Sequence, residues 1–149
     1  MRRFAVKLPP IAQDVVLLIA RIGVGIVFVA HGWQKFQTNG LDATAQAFQG
    51  MGVPSPTISA YYAAGAELIA GTALILGVLT PIAGVLLALD MFGAFLFVHA
   101  PNGIFASDGG WELVGALGLF ALVVAVVGPG RFSLDRLIIR APARETVAA

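Results

Sequence analysis

Seven ionisable residues stand within or at the ends of otherwise apolar stretches of this 149-residue chain: Arg21, His31, Lys35, Glu67, Asp90, His99 and Glu112. Their types suit three kinds of chemistry. Histidine, lysine and a carboxylate beside aromatic rings could bind a quinone or another small molecule, bonding its carbonyls and carrying its protons. The same carboxylates and histidines suit a proton or ion path through a membrane. His31 and His99 could instead ligate a haem from separate helices; two histidines alone are weak grounds, so haem ranks last. The plain alternative is that both histidines satisfy neighbouring carboxylates or interfacial water. No cysteine occurs, which excludes disulfides, thiol catalysis, Cys-ligated zinc, iron–sulfur clusters and c-type haem. No metal-ligand set stands out, and no Gly-rich loop opens a helix after a strand, so a nucleotide fold is unsupported. Any redox work must use a borrowed cofactor or a partner chain.

The elements that carry these residues follow from composition. Hydrophobic residues make up 58% and charged residues 11%, whereas a soluble domain carries about 25% charged residues. Lipid is therefore the expected partner. Nine Lys plus Arg against eight Asp plus Glu leave a formal charge of +1, without the basic excess of a nucleic-acid binder. A hydrocarbon core about 30 Å thick needs roughly 20 apolar residues per helix, and four stretches fit, at about 15–36, 58–79, 81–98 and 111–127. The N-terminal MRRFAVK imitates a secretory signal, but Arg21 interrupts the run and three more stretches follow, so the first reads as a retained helix. These spans predict an all-α, membrane-spanning antiparallel four-helix bundle occupying residues 1–149 as a single domain.

Orientation comes from the cations, because short loops rich in Lys and Arg stay cytoplasmic. Arg2, Arg3 and Lys7 precede the first span, and Arg131, Arg136, Arg140 and Arg144 follow the fourth. The expectation is a multi-pass protein of the plasma membrane with both termini cytoplasmic. Leu79-Thr-Pro81 joins the second and third helices as a tight hairpin, with Pro81 suited to a helix start. In the longest connection, Leu41, Ala45, Phe48 and Met51 recur at helical spacing after Asn39-Gly40, which predicts a short interfacial helix. Gly23 and Gly25, Gly65 and Gly71, Gly84 and Ala88, and Gly115 and Gly118 supply small residues for close helix approach. Another small-residue face leaves a homo-oligomer open.

Depth sorts the ionisable groups into two sets. A charge at mid-bilayer costs about 2.5–3.5 kcal/mol, so such residues face inward and find partners. Arg21 and Asp90 lie roughly 10–13 Å from the same face by helical rise, which predicts an ion pair between them fixing helix register. His31, Lys35, Glu67, His99 and Glu112 fall in the outer half, one or more from each helix. Phe28, Trp33, Tyr61, Tyr62, Phe105 and Trp111 lie near the same level, as pocket walls or as an interfacial aromatic belt.

The run Arg21-Ile-Gly-Val-Gly-Ile-Val-Phe-Val-Ala-His-Gly-Trp-Gln-Lys-Phe36 resembles the opening signature of the DoxX family. The likeness continues through Gly52-Val-Pro-Ser-Pro56, Glu67 within Ala-Glu-Leu-Ile-Ala-Gly71, Leu76-Gly-Val-Leu-Thr-Pro81, His99 with Asn102-Gly103, Glu112, and Gly128-Pro-Gly-Arg-Phe-Ser-Leu-Asp135. It covers nearly the whole chain in order. The resemblance implies a small four-helix membrane protein, of a kind in which some relatives are subunits of a thiosulfate:quinone oxidoreductase and others serve assemblies handling sulfur compounds and oxidative stress. It also implies that Arg21, His31, Lys35, Glu67, His99 and Glu112 form the family's polar set; no family role falls on Asp90.

Two functions of different class follow. In one, the chain is a redox-associated membrane subunit that binds a quinone in the outer half and takes electrons from a soluble or membrane oxidoreductase partner. In the other, it is a non-catalytic scaffold or anchor whose polar residues hold the helices together; a small-molecule or proton transporter is the third reading, weakened by only four spans. The basic amphipathic piece at Leu137 and Ile138, beside Arg136, Arg140 and Arg144, suits anionic headgroups or a soluble partner.

Overall fold

The computed structural model describes residues 8–138, all-helical with no strand among them. The cations at positions 2, 3, 7, 140 and 144 lie outside the described residues. Helix α1 (Pro10–Trp33) continues without interruption through a π-helical stretch, Gln34–Thr38. After the Asn39-Gly40 turn comes the expected short helix, α2 (Leu41–Gly50). Helix α3 (Pro56–Gly65), a second π-helical stretch (Ala66–Ala70) and α4 (Gly71–Leu76) form one rod. Helix α5 (Thr80–Ala94) runs into a third π-helical stretch, Phe95–His99, and a 3-10 turn, Ala100–Asn102. A loop containing the 3-10 turn Ala106–Asp108 leads to α6 (Glu112–Val127) and then α7 (Leu134–Ile138).

Three of these rods are long and apolar enough to cross a bilayer: Pro10–Thr38 with 29 residues, Pro56–Leu76 with 21 and Thr80–Asn102 with 23. Helix α6 is equally apolar but has 16 residues, about 24 Å of rise, which is short of a full hydrocarbon core. The outward surface is that of a protein solvated by lipid: Val126, Ile69, Leu119 and Ile19 are all largely exposed, where a soluble monomer avoids such continuous apolar cover. Inside, α1, α4, α5 and α6 pack the fully buried Phe28, Leu74, Leu87, Ala121 and Val124 into a single core.

Glycine sets the spacing between rods. A Cβ on Gly25 would stand 2.5 Å from Ile75 Cγ1 and 2.9 Å from the Gly71 carbonyl, and one on Gly32 would stand 2.8 Å from the Leu68 amide. As the number in α1 rises its partner's falls, so α1 and the α3–α4 rod run in opposite directions. Gly84 against Ala121 and Ala125, and Gly118 against Met91, give the same relation for α5 and α6.

The chain after α6 folds back under the bundle, which the sequence reading did not foresee. Helix α4 ends with Gly77 at φ 68°; the Gly77 N–H donates to the Leu74 carbonyl and the Val78 N–H to the Ala73 carbonyl, a Schellman closure. Leu79 then takes φ 48°, which a branched side chain adopts only when held there. Asp135 holds it. One carboxylate oxygen accepts the Leu79 N–H at 2.7 Å and the other the Thr80 N–H at 3.0 Å, while the Asp135 N–H donates to the Gly77 carbonyl at 2.8 Å. A carboxylate from a distant part of the chain thus caps α5, where the helix dipole favours it. Arg131 pairs with Asp14 on α1, Nε to Oδ2 at 3.2 Å, and its N–H donates to Oδ1 at 3.0 Å.

The expected Arg21–Asp90 ion pair does not form. Arg21 is fully buried and its Nη2 donates to the Phe132 carbonyl at 2.6 Å, with Asp135 nearby as the compensating charge. The error lay in depth. The two helices do not start at one level: Arg21, eleven residues into α1, stands beside Gly77 and Ser133 at the hairpin before α5, whereas Asp90 lies ten residues beyond Thr80, about 15 Å further along.

Burial pushes the Asp135 carboxyl up, but the Thr80 and Leu79 amides and Arg21 outweigh it and hold it below the ordinary carboxylate value. Because the folded value is the lower one, the stabilisation is complete above about pH 4 and fades as pH falls through the folded value. Asp135→Ala is expected to destabilise the protein by about 1–2 kcal/mol at neutral pH, as loss of a helix cap does. Thermal unfolding in mild detergent should show a gap from the native chain at pH 7 that narrows near pH 3; a gap independent of pH would contradict the cap.

Candidate functional site

At the other end of the bundle lies a cavity of about 460 Å³, within the range of small-molecule sites. His31, Lys35, Glu67 and His99, all expected there, line it. Asp90 lines it too, in place of its expected role beside Arg21. Three of these residues sit in the three π-helical stretches: Lys35 in Gln34–Thr38, Glu67 in Ala66–Ala70 and His99 in Phe95–His99. A π turn inserts one extra residue into the helix and so rotates the side chains beyond it, a device that recurs at functional sites. No pattern of apolar residues distinguishes π from α at this length, which is why the sequence reading missed it.

The cavity's charges are largely settled among themselves. Glu67 is 3% exposed, and its two oxygens accept hydrogen bonds from Lys35 Nζ at 2.9 and 2.6 Å. The sequence reading placed both residues in the outer half but did not pair them. The Thr44 hydroxyl, which can donate to the Lys35 carbonyl at 3.2 Å or the Gly40 carbonyl at 2.9 Å, fastens α2 to the end of α1. Asp90 is 8% exposed and joins neither ion pair found among the described residues. His31 Nδ1 lies 2.8 Å from the Val27 carbonyl and His99 Nδ1 lies 2.7 Å from the Gly109 carbonyl. A carbonyl only accepts, so each Nδ1 carries the proton and each Nε2 remains uncommitted.

Glu112, expected in the pocket, is not part of it. Its Oε1 accepts the Ala106 N–H at 2.7 Å, bracing the loop before α6. Phe95 and Trp111 meet edge to face, with centroids 5.8 Å apart, and tie that loop to the third π-helical stretch. The remaining aromatics divide. Phe28 and Tyr62 line the cavity together with Phe48 and Phe97, while Trp33, Tyr61 and Phe105 are more than half exposed at belt positions. Phe48, Met51 and Val53, from α2 and the turn after it, cover one wall. The site therefore combines aromatic and aliphatic walls with a small polar group of one ion pair, one further carboxyl and two oriented imidazoles.

Comparison with known proteins agrees with this architecture. The family model described as DoxX matches residues 16–100. The chain is 34% identical over 132 residues to the "Uncharacterized membrane protein Rv3486" of Mycobacterium tuberculosis, covering 80% of this chain and 79% of that one. It is 34% identical over 135 residues to the inner membrane protein YphA of Escherichia coli, covering 84% and 91%. To a Bacillus subtilis protein named "Putative oxidoreductase CatD" it is 34% identical over 132 residues, covering 89% and 93%. No solved structure matches it. The matched region takes in the second bilayer-length rod and most of the first and third, and holds Arg21, His31, Lys35, Glu67, Asp90 and His99: the chain is an integral membrane protein of the DoxX family.

Proposed function

We propose that this chain is a redox-associated membrane subunit whose cavity binds the ring of a quinone-type molecule. The observation that carries the reading is the composition of the cavity wall: flat and aliphatic apolar surface from Phe28, Phe97 and Leu117 beside His31, Lys35, Glu67, Asp90 and His99 in one space. Such a wall matches a ring that is apolar on its faces and polar at its oxygens. Aromatic faces pack the ring, the free Lys35 N–H can donate to a ring oxygen, the imidazole Nε2 atoms can accept from a ring hydroxyl in the reduced form, and the carboxyls hold or release protons there. A bound quinone would supply two-electron chemistry that no side chain here possesses. Electrons would come from a soluble or membrane oxidoreductase partner, and the name given to CatD favours that class.

On this reading the four apolar helical units cross the plasma membrane up and down as one domain, with both termini cytoplasmic. The cation-rich flanks support this orientation, and it sets the cavity in the outer half. The polar seam at Arg21 and Asp135 then faces the cytoplasm and serves structure rather than ligand.

The test is binding of duroquinone and its reduced form, duroquinol, to protein purified in mild detergent, together with organic extraction of that protein to look for a co-purifying quinone. His31→Ala and Glu67→Gln are each expected to weaken binding of the preferred form at least about tenfold, the effect of losing a buried charged or hydrogen-bonded partner. Unchanged affinity in both variants would remove the site.

A further inference from the structure

We infer that the cavity selects the reduced, dihydroxy form of its ring ligand and binds it as a hydrogen-bond donor; this rests on the ring-binding reading above. The argument is an inventory of polar hydrogens. Side chains lining the cavity spend theirs inward, on the protein itself. His31 and His99 give their Nδ1 protons to the Val27 and Gly109 carbonyls. The Ser59 hydroxyl donates to the Pro54 carbonyl at 2.6 Å and the Tyr62 hydroxyl to the Leu86 carbonyl at 2.9 Å. Lys35 directs its ammonium at both oxygens of Glu67.

Lone pairs are what remain. With Nδ1 donating, each imidazole in its neutral form presents Nε2 as an acceptor, and the Ser59 and Tyr62 oxygens keep acceptor capacity after donating. Asp90, with neither ion pair nor side-chain hydrogen bond among the described residues, accepts in either protonation state. Against these stand one ammonium N–H of Lys35 and, when Asp90 is protonated, one O–H. Acceptors therefore outnumber free donors in a wall that is mostly apolar.

A quinone brings only two more acceptors, and placing them against lone pairs in a mostly apolar cavity leaves groups unpaired, which is costly. The reduced ring brings two O–H donors and no loss of shape. The geometry points to those hydroxyls donating to the set formed by His31 Nε2, His99 Nε2 and Asp90. A site built to bond a hydroxyl rejects the analogue that lacks it, as discrimination between otherwise equal ligands requires.

The experiment compares three ligands of one ring size under argon: duroquinol, its dimethyl ether, which keeps the oxygens but has no O–H, and duroquinone. Equilibrium dialysis against the detergent-purified chain is expected to show duroquinol bound at least about tenfold more tightly than either of the others. In His31→Phe/His99→Phe, which keeps ring bulk but deletes both Nε2 acceptors, the preference is expected to fall to within about threefold. Asn102 Nδ2, 3.3 Å from the Gly109 carbonyl, still holds that loop in the double variant. Asp90→Asn, which adds donors, is expected to improve duroquinone binding relative to duroquinol. Equal affinity for all three ligands, or a preference unchanged in the double variant, overturns the donor rule while leaving the ring site standing. If none of the three binds, the ring site falls and the donor rule with it. Should the double variant not fold, the native chain's ratio of duroquinol to its ether decides alone.

Discussion

Gly32→Val is expected to prevent assembly of the cavity, whereas Gly23→Val is expected to pass almost unnoticed. At Gly32 a Cβ would stand 2.8 Å from both the Leu68 amide nitrogen and Cγ, and 3.0 Å from Glu67 Cβ. The amide nitrogen is backbone and cannot swing aside. The α3–α4 rod would have to move away from α1 at the level where Lys35 reaches Glu67, so the ion pair would stretch as the helices part. Overpacking a core costs about 1–3 kcal/mol and more when backbone must shift, a large share of a total stability of about 5–15 kcal/mol. Gly23, two residues before Gly25 in the same helix, has nothing within 4 Å of its Cβ position. Size-exclusion homogeneity and thermal unfolding in detergent would separate the two variants; a Gly32→Val protein as stable as the native chain would show that α1 does not depend on that contact.

The second large effect concerns Lys35 and Glu67. Removing either partner alone strands the other in a largely apolar setting, and breaking a buried pair costs on the order of 3–5 kcal/mol. Glu67 has almost no solvent access, while the Lys35 side chain is 21% exposed and can extend its ammonium toward water. Lys35→Met should therefore be the more damaging single change, and Glu67→Leu the milder. The double replacement Lys35→Met/Glu67→Leu is expected to recover most of the lost stability, since apolar side chains of similar volume substitute well for a buried pair. Ligand binding should not return with it. That dissociation of stability from binding is the useful measurement: unfolding midpoints of the four proteins form a cycle, and strictly additive losses would mean that the two side chains do not depend on each other.

Much of this was legible in the sequence. Hydropathy located the rods because lipid demands long apolar runs, and the helix at Leu41–Gly50 showed in its spacing. His31, Lys35, Glu67 and His99 were placed together by depth alone, and the cavity brings those four together. Arg21 and Asp90 were misassigned because depth was counted along each helix as if the helices started at one level, whereas α1 begins at Pro10 and reaches the hairpin before α5 only at Arg21. The true partner of Arg21 is a carbonyl, that of Phe132, and a backbone acceptor leaves no mark in side-chain chemistry. Glu112 illustrates the opposite limit. Its position at the start of α6 suited either the pocket or the loop, and only the path of residues 103–110, where Ala106 offers its amide, decides between them.

The fastening of Arg21 by Phe132 and of α5 by Asp135 also bears on biogenesis. Chains are made and begin to fold from the N-terminus, so the guanidinium on the first helix enters the translocon long before its acceptor has been translated. Until residues 131–135 emerge from the ribosome, that helix carries an uncompensated cation into lipid. A stretch made only after α6 is thus the latch on α1, and a nascent chain halted short of Phe132 would lack it.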